Sequence, residues 1–331
     1  MKTLAKSVSS GDQESGLKPL VFHDCTTELS RPSAKSLPQS RDIKANPGQQ
    51  PQAHSSLFDR LAALILPLGT VALSILTPLR WDLADPLPDR ARRLLELAPG
   101  DPPLVLQLDW PDQVLGGQDT STAPFPQALS QHLNGAERTR LAAFRLPQDR
   151  WRHGLARSGL KWLLAQVLGV EPLTLEIQAG PRGKPYLAPS AAVPSPPQFN
   201  GSHAGELVLL ALHPSQAVGV DTERLDRRLD RQRLAPRLLS SQLLGELDHL
   251  PPDQQRAVLL GQWCRLEAQL KCSGQGLAGL EALRQDLASR PPRANLVDLA
   301  LPAGYCGALA WAQPPSPPQP LMRSNSASTA A

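Results

Sequence analysis

Val218-Gly219-Val220-Asp221-Thr222-Glu223 opens, and Trp263-Cys264-Arg265-Leu266-Glu267-Ala268-Gln269-Leu270-Lys271 closes, the stretch around which the chain is organised. In the opening piece Val218 and Val220 bracket a glycine and run into Asp221, as a short strand does when it leaves a core at its C-terminal end. Side chains alternate along a strand, so Asp221 and Glu223 point to one side. Two carboxylates that close repel unless a cation sits between them. Hard oxygen donors with no cysteine or histidine nearby suit Mg²⁺, or Mn²⁺, better than zinc. Taken alone, an Asp-x-Glu is an ordinary solvated strand end. In the closing piece Trp263, Glu267 and Lys271 stand four apart and form one row on a helix. Alone, that row is a common Glu-to-Lys helix pair. In combination, a third acid and a cation on the helix could complete a metal and phosphate site begun by the acids on the strand.

Two further segments precede these, Gly183-Lys184-Pro185-Tyr186-Leu187 and Phe199-Asn200-Gly201-Ser202-His203. The four elements, in this order, resemble the signatures of the 4′-phosphopantetheinyl transferase superfamily, in its two-lobed, surfactin-synthetase-activating type: Gly-Lys-Pro, Phe-Asn-x-Ser-His, Gly-x-Asp-x-Glu and Trp-x-x-Lys-Glu-x-x-x-Lys. One position departs, because Leu266 stands where the family carries a lysine, with Arg265 one place earlier.

The resemblance covers about Leu104 to Ala312 and implies an α+β fold of two pseudo-duplicated lobes, 101–216 and 217–312, with disordered N- and C-terminal tails, 1–100 and 313–331. It implies an enzyme, a holo-acyl-carrier-protein synthase, that moves 4′-phosphopantetheine from coenzyme A to a serine of an apo acyl or peptidyl carrier protein and releases adenosine 3′,5′-bisphosphate. Asp221, Glu223 and Glu267 would hold Mg²⁺. Such an ion neutralises charge that develops on a pyrophosphate as it is broken. Glu267 would serve as ligand, as general base towards the serine, or as both. Lys271 would bind the phosphates or protonate the leaving oxygen. Arg140, Arg152, Lys184, Ser202 and His203 match positions at the phosphorylated nucleotide end of coenzyme A. His203 read by itself, with no second His or Cys nearby, is an ordinary hydrogen-bonded structural residue.

The 331 residues include 35 Pro and carry a formal charge of +4, with a pI near 9.0. That mild excess favours an acidic protein or a phosphate-rich ligand and does not imply nucleic acid. The densest basic segment, Arg224 to Arg237, is diluted by Asp226 and Asp230, and the chain has only two Tyr and five Phe to stack on bases. Cys25, Cys264, Cys272 and Cys306 show no Cys-x-x-Cys spacing. They read as free thiols in a reducing, cytoplasmic compartment, in a monomer. Besides the transferase, two other classes remain open at this level: a non-catalytic relative that binds carrier protein or coenzyme A, and a basic nucleic-acid-binding protein.

Along the chain, residues 1–56 lack hydrophobic periodicity and read as disordered. The stretch 61–79 is apolar and nearly uncharged but interrupted by Pro67, Gly69 and Pro78. It admits a membrane span, a helical extension, or a translated leader without function, and no membrane association is expected of the enzyme. Leu104–Leu108 is expected to be the first strand, with the fold starting near Asp101. Apolar residues from Ala136 to Leu168 recur at helical spacing with a break at Pro147. Strands are further expected at Leu173–Ile177, Glu206–Leu212 and Gly304–Trp311.

Overall fold

A computed structural model describes residues 75–83, 85–109, 125–283 and 294–313. In chain order the elements are β1 (Ile75–Leu76), β2 (Leu79–Asp82), α1 (Asp89–Arg92), β3 (Leu104–Asp109), α2 (Gln127–Ser130), α3 (Gly135–Ala142), α4 (Pro147–Leu168), β4 (Ile177–Ala179), β5 (Pro185–Leu187), β6 (Gln198–Ala204), β7 (Leu207–His213), β8 (Val218–Arg224), α5 (Arg231–Leu238), α6 (Ser241–Asp248), α7 (Pro252–Ser273), β9 (Ala294–Leu299) and β10 (Tyr305–Ala312).

The chain builds one unit twice. β3, α4, β6 and β7 form the first, β8, α7, β9 and β10 the second. In each, the last strand inserts between the first two and runs antiparallel to both. The two sheets are β2-β3-β7-β6 and β1-β9-β10-β8. Each long helix is 22 residues, starts with a proline in its first turn and ends on a left-handed glycine, Gly169 or Gly274. Proline is preorganised for the first helical position, and glycine adopts the αL cap without a Cβ penalty. This is the α+β, pseudo-duplicated architecture that the motifs implied.

Strand alternation decides the layers. Along β7, Val208, Leu210 and Leu212 face α4 with Leu155, Leu160, Leu163 and Leu164. Leu207, Leu209 and Ala211 face Val218, Val220, Leu309 and Trp311 of the other sheet. β7 is buried throughout, as a nearly continuous apolar run requires. α7 instead meets its sheet through small residues, Cys264, Ala268 and Cys272 against Ala308 and Ala310. Gly219 shows how close that approach is: a Cβ there would lie 2.1 Å from the Ala268 carbonyl oxygen and 2.3 Å from the Cys272 amide nitrogen.

The fold begins earlier than Asp101. β2 pairs in parallel with β3, β1 pairs in parallel with β9, and Trp81, Leu87, Ala91 and Leu94 are buried in the core. Thr77-Pro78 separates β1 from β2, so this short apolar run is split into two edge strands, one for each sheet. Residues 61–74 of the apolar stretch lie outside the described residues, as do residues 1–56 and 314–331 of the tails expected at 1–100 and 313–331. Among the described residues no helix is long and apolar enough to cross a membrane. The strand expected at Leu173–Ile177 starts at Ile177. Pro172–Thr174 forms a 3₁₀ turn instead, since proline preorganises a helical turn start rather than a ladder position.

Candidate active site

The sheets meet where β6 runs beside β8, and polar side chains of β6 replace part of a backbone ladder there. Asn200 Oδ1 accepts from the Val220 N–H at 2.9 Å, and Ser202 Oγ accepts from the Thr222 N–H at 3.3 Å. Asn200 and Ser202 are two apart, so they point the same way and satisfy amides two apart on β8. All of these groups are buried; unpaired, they would carry a desolvation penalty.

Asp221 lies on β8 at this seam, 5% exposed. Its Oδ1 accepts from Lys271 Nζ at 2.7 Å and from Ser202 Oγ at 3.0 Å. Lys271 Nζ also donates to the Val220 carbonyl at 3.2 Å and to Ser202 Oγ at 3.3 Å. Burial works against the Lys271 ammonium, but the Asp221 carboxylate overrides it and raises its pKa. Glu223, further along the strand, pairs with Arg227. Burial, then repulsion from Asp221, pushes the Glu223 carboxyl up to about 7. Glu267, one helical turn before Lys271, is buried and is likewise pushed up to about 7 by burial and by Asp221.

Thus Asp221, Glu223, Glu267, Lys271 and Ser202 come together, because the small-residue face of α7 lies against β8. Among the described residues no three His, Cys, Asp or Glu side chains converge as a preformed metal-ligand cluster; Asp221 is held by Lys271 and Glu223 by Arg227. Two observations nonetheless fit a hard divalent cation. Asp221 Oδ2 and Glu267 Oε1 are buried carboxylate oxygens with no hydrogen-bond partner, and the repulsion from Asp221, which after burial raises Glu223 and Glu267, is what a bound cation relieves.

The other expected residues are placed unevenly. His203 stands edge-on to His153 at 4.7 Å. Burial, then His153 and Arg152, hold its pKa well below the usual imidazole range, so it is neutral. Arg152 pairs with Asp149 and donates to the Gly205 carbonyl at 3.2 Å, which puts it at the end of β6 beside His203. Arg140 is exposed in the last turn of α3. Lys184, half-buried, is engaged within the protein: Nζ donates to the carbonyls of Cys272 at 2.8 Å and Val218 at 3.0 Å.

Three relationships escaped the sequence reading. Arg227 is the cation beside Glu223, visible in sequence only as an i,i+4 spacing that crosses a strand end. Arg265 does not stand in for the lysine absent at position 266, because it forks onto Asp298 of β9, with Nε to Oδ1 at 2.8 Å and Nη2 to Oδ2 at 2.5 Å. Cys264, Cys272 and Cys306 are free thiols as expected, but Cys264 and Cys306 lie with sulfurs 3.8 Å apart.

Two family profiles match the chain: "4′-phosphopantetheinyl transferase, N-terminal" over residues 120–215 and "4′-phosphopantetheinyl transferase superfamily" over residues 217–306. The chain is similar to the 4′-phosphopantetheinyl transferase HetI of Nostoc sp., 33% identical over 166 residues, 50% of this chain and 70% of the relative. A putative 4′-phosphopantetheinyl transferase of Synechocystis sp. is 31% identical over 49% of this chain and 63% of its own length. The 4′-phosphopantetheinyl transferase AcpT of Escherichia coli O157:H7 is 33% identical over 49% of this chain and 72% of its own.

Proposed function

Because this chain belongs to the 4′-phosphopantetheinyl transferase superfamily, we propose that it transfers the 4′-phosphopantetheine of coenzyme A to a serine of an apo acyl or peptidyl carrier protein. The observation that carries this reading is the convergence of Asp221, Glu267 and Lys271 at the seam of the two lobes, with two buried carboxylate oxygens left unpartnered.

Asp221, Glu223 and Glu267 would hold Mg²⁺, or Mn²⁺. When bound, such an ion offsets negative charge on the pyrophosphate. In the reaction the serine oxygen forms a bond to the phosphorus nearer the pantetheine, the bond from that phosphorus to the bridging oxygen breaks, and adenosine 3′,5′-bisphosphate leaves. The serine proton needs an acceptor. Glu267, a buried carboxylate of the site, is the acid available for that task besides the pair formed by Asp221 and Lys271, and we assign it both ligand and base. Lys271, a charged ammonium held at Asp221, stabilises the phosphate oxygens and can protonate the leaving group. Ser202 orients Asp221 and Lys271. Neutral His203, Arg152 and exposed Arg140 serve the nucleotide end.

We read residues 79–213 as a first lobe and 218–312 as a second, with β1 added to the second, a division supported by the two sheets β2-β3-β7-β6 and β1-β9-β10-β8. Exposed Arg228, Arg233 and Arg237 suit an acidic partner surface next to the acids, where opposite potentials speed encounter. The reading is tested by incubating the protein with coenzyme A, Mg²⁺ and an apo carrier protein and weighing the carrier. A mass gain of one phosphopantetheine on the serine is expected, and no gain with several apo carriers would defeat it.

A further inference from the structure

The turn between β4 and β5 belongs to the first lobe, where Ile177–Ala179 pairs with Pro185–Leu187, yet it grips the C-terminal end of α7 in the second. Lys184 Nζ reaches the Cys272 carbonyl, and Arg182 Nη1 donates to the Gln275 carbonyl at 3.3 Å. Gly274 caps the helix at φ +69, and a Cβ there would lie 3.4 Å from Lys184 Cδ. The last carbonyls of a helix have no partner within it and carry partial negative charge, so a lysine there satisfies both needs. Lys184 does more, because its second acceptor is Val218 of β8. Burial lowers its pKa, a cost accepted for an ammonium that reaches two elements at once.

The two acceptors flank the site. Cys272 follows Lys271, and Val218 precedes Asp221 by three residues. Between them the helix lies almost on the strand, at Gly219. We propose that Lys184 is a positioning residue that fixes α7 against β8, and so sets Glu267 and Lys271 against Asp221, rather than a ligand of the coenzyme A phosphates. This rests on the transferase reading for its kinetic consequence, but the clamp itself does not.

Lys184→Met keeps the apolar stem and removes the ammonium. Amide hydrogen exchange in the last turn of α7, Leu270–Gln275, should quicken by about tenfold or more relative to the rest of that helix. Transfer should be measured with coenzyme A and with 3′-dephospho-coenzyme A. The expected result is a kcat lowered about tenfold or more with both, and a KM for coenzyme A within about twofold of the original. A KM increase seen with coenzyme A and absent with the dephospho form would overturn the proposal and make Lys184 a phosphate ligand. Unchanged exchange would overturn it too. Should Lys184→Met not fold, Arg182→Ala, which removes the neighbouring contact to Gln275, must show the same exchange effect in smaller degree; no effect there counts against the clamp. If the original protein transfers nothing, the transferase reading fails, and the exchange experiment still decides the clamp.

Discussion

Ser202 Oγ lies 3.0 Å from Asp221 Oδ1, and this contact spans the two halves of the duplicated fold, from β6 to β8. The same hydroxyl accepts from the Thr222 amide and from Lys271. One small side chain therefore ties together the lobes and two groups of the site.

Ser202→Ala should act on stability and activity together. It leaves the buried Thr222 N–H without its acceptor, a loss of about 1–3 kcal/mol, read as a lowered urea midpoint with unchanged slope. Lys271 keeps Asp221, so activity should fall without vanishing. A variant as stable as the original would show that the seam does not depend on this hydroxyl.

Asp221→Ala and Glu267→Ala should each lower transfer by about 10² or more even in saturating Mg²⁺, and chelation should abolish the activity of the original protein. Both variants should also lose any Mg²⁺-dependent rise in melting temperature, a readout independent of turnover. Lys271→Ala should lower kcat more than coenzyme A affinity; an effect on KM alone would reduce Lys271 to a binding residue. Full activity of Asp221→Ala would sink the metal assignment.

Away from the site, Glu137 caps α3 in a reciprocal box with Asn134 and pairs with Arg157 at 2.7 Å and with fully buried Lys161 at 3.0 Å. Burial alone would raise the Glu137 carboxyl, but Arg157, the Asn134 amide and Lys161 outweigh it and lower its pKa. A depressed carboxyl contributes stability that is present above the ordinary carboxylate range and fades as pH falls through the lowered value. The stability gap between the original protein and Glu137→Gln should accordingly be full at neutral pH and shrink in acid. A gap that widens in acid would contradict the assignment.

A chain beginning at Asp101 should be markedly less stable than one beginning at Ile75, in thermal melts and in soluble yield. The shorter one lacks the edge strands of both sheets and the buried Trp81, Leu87, Ala91 and Leu94. Loss of a buried Leu or Trp side chain such as Leu94 or Trp81 costs about 2–5 kcal/mol by the usual range for core truncation. Equal melting temperatures would mean that these residues contribute nothing to the core.

What the sequence determined by itself was local and periodic. A nearly continuous apolar run set β7, and Val218 and Val220 around a glycine set β8, with Asp221 and Glu223 following. Helical spacing set α4 and α7, with Glu267 and Lys271 one turn apart, and the break at Pro147 fell where α4 begins. Tertiary structure decided what no spacing encodes: which strand lies next to which, and therefore which cation faces which acid. Lys184 reads as a phosphate contact from its motif, yet the close packing of α7 on β8 at Gly219 offers it two carbonyls instead. Arg265 stands one place before Leu266, where the family carries a lysine, and one residue along a helix is about 100° of rotation, which carries Arg265 to Asp298. Ile75 to Asp82 reads as the end of an apolar run, because a two-residue edge strand shows no period of its own. Its conformation is set by the sheet edges of both lobes, which come together only in the folded chain.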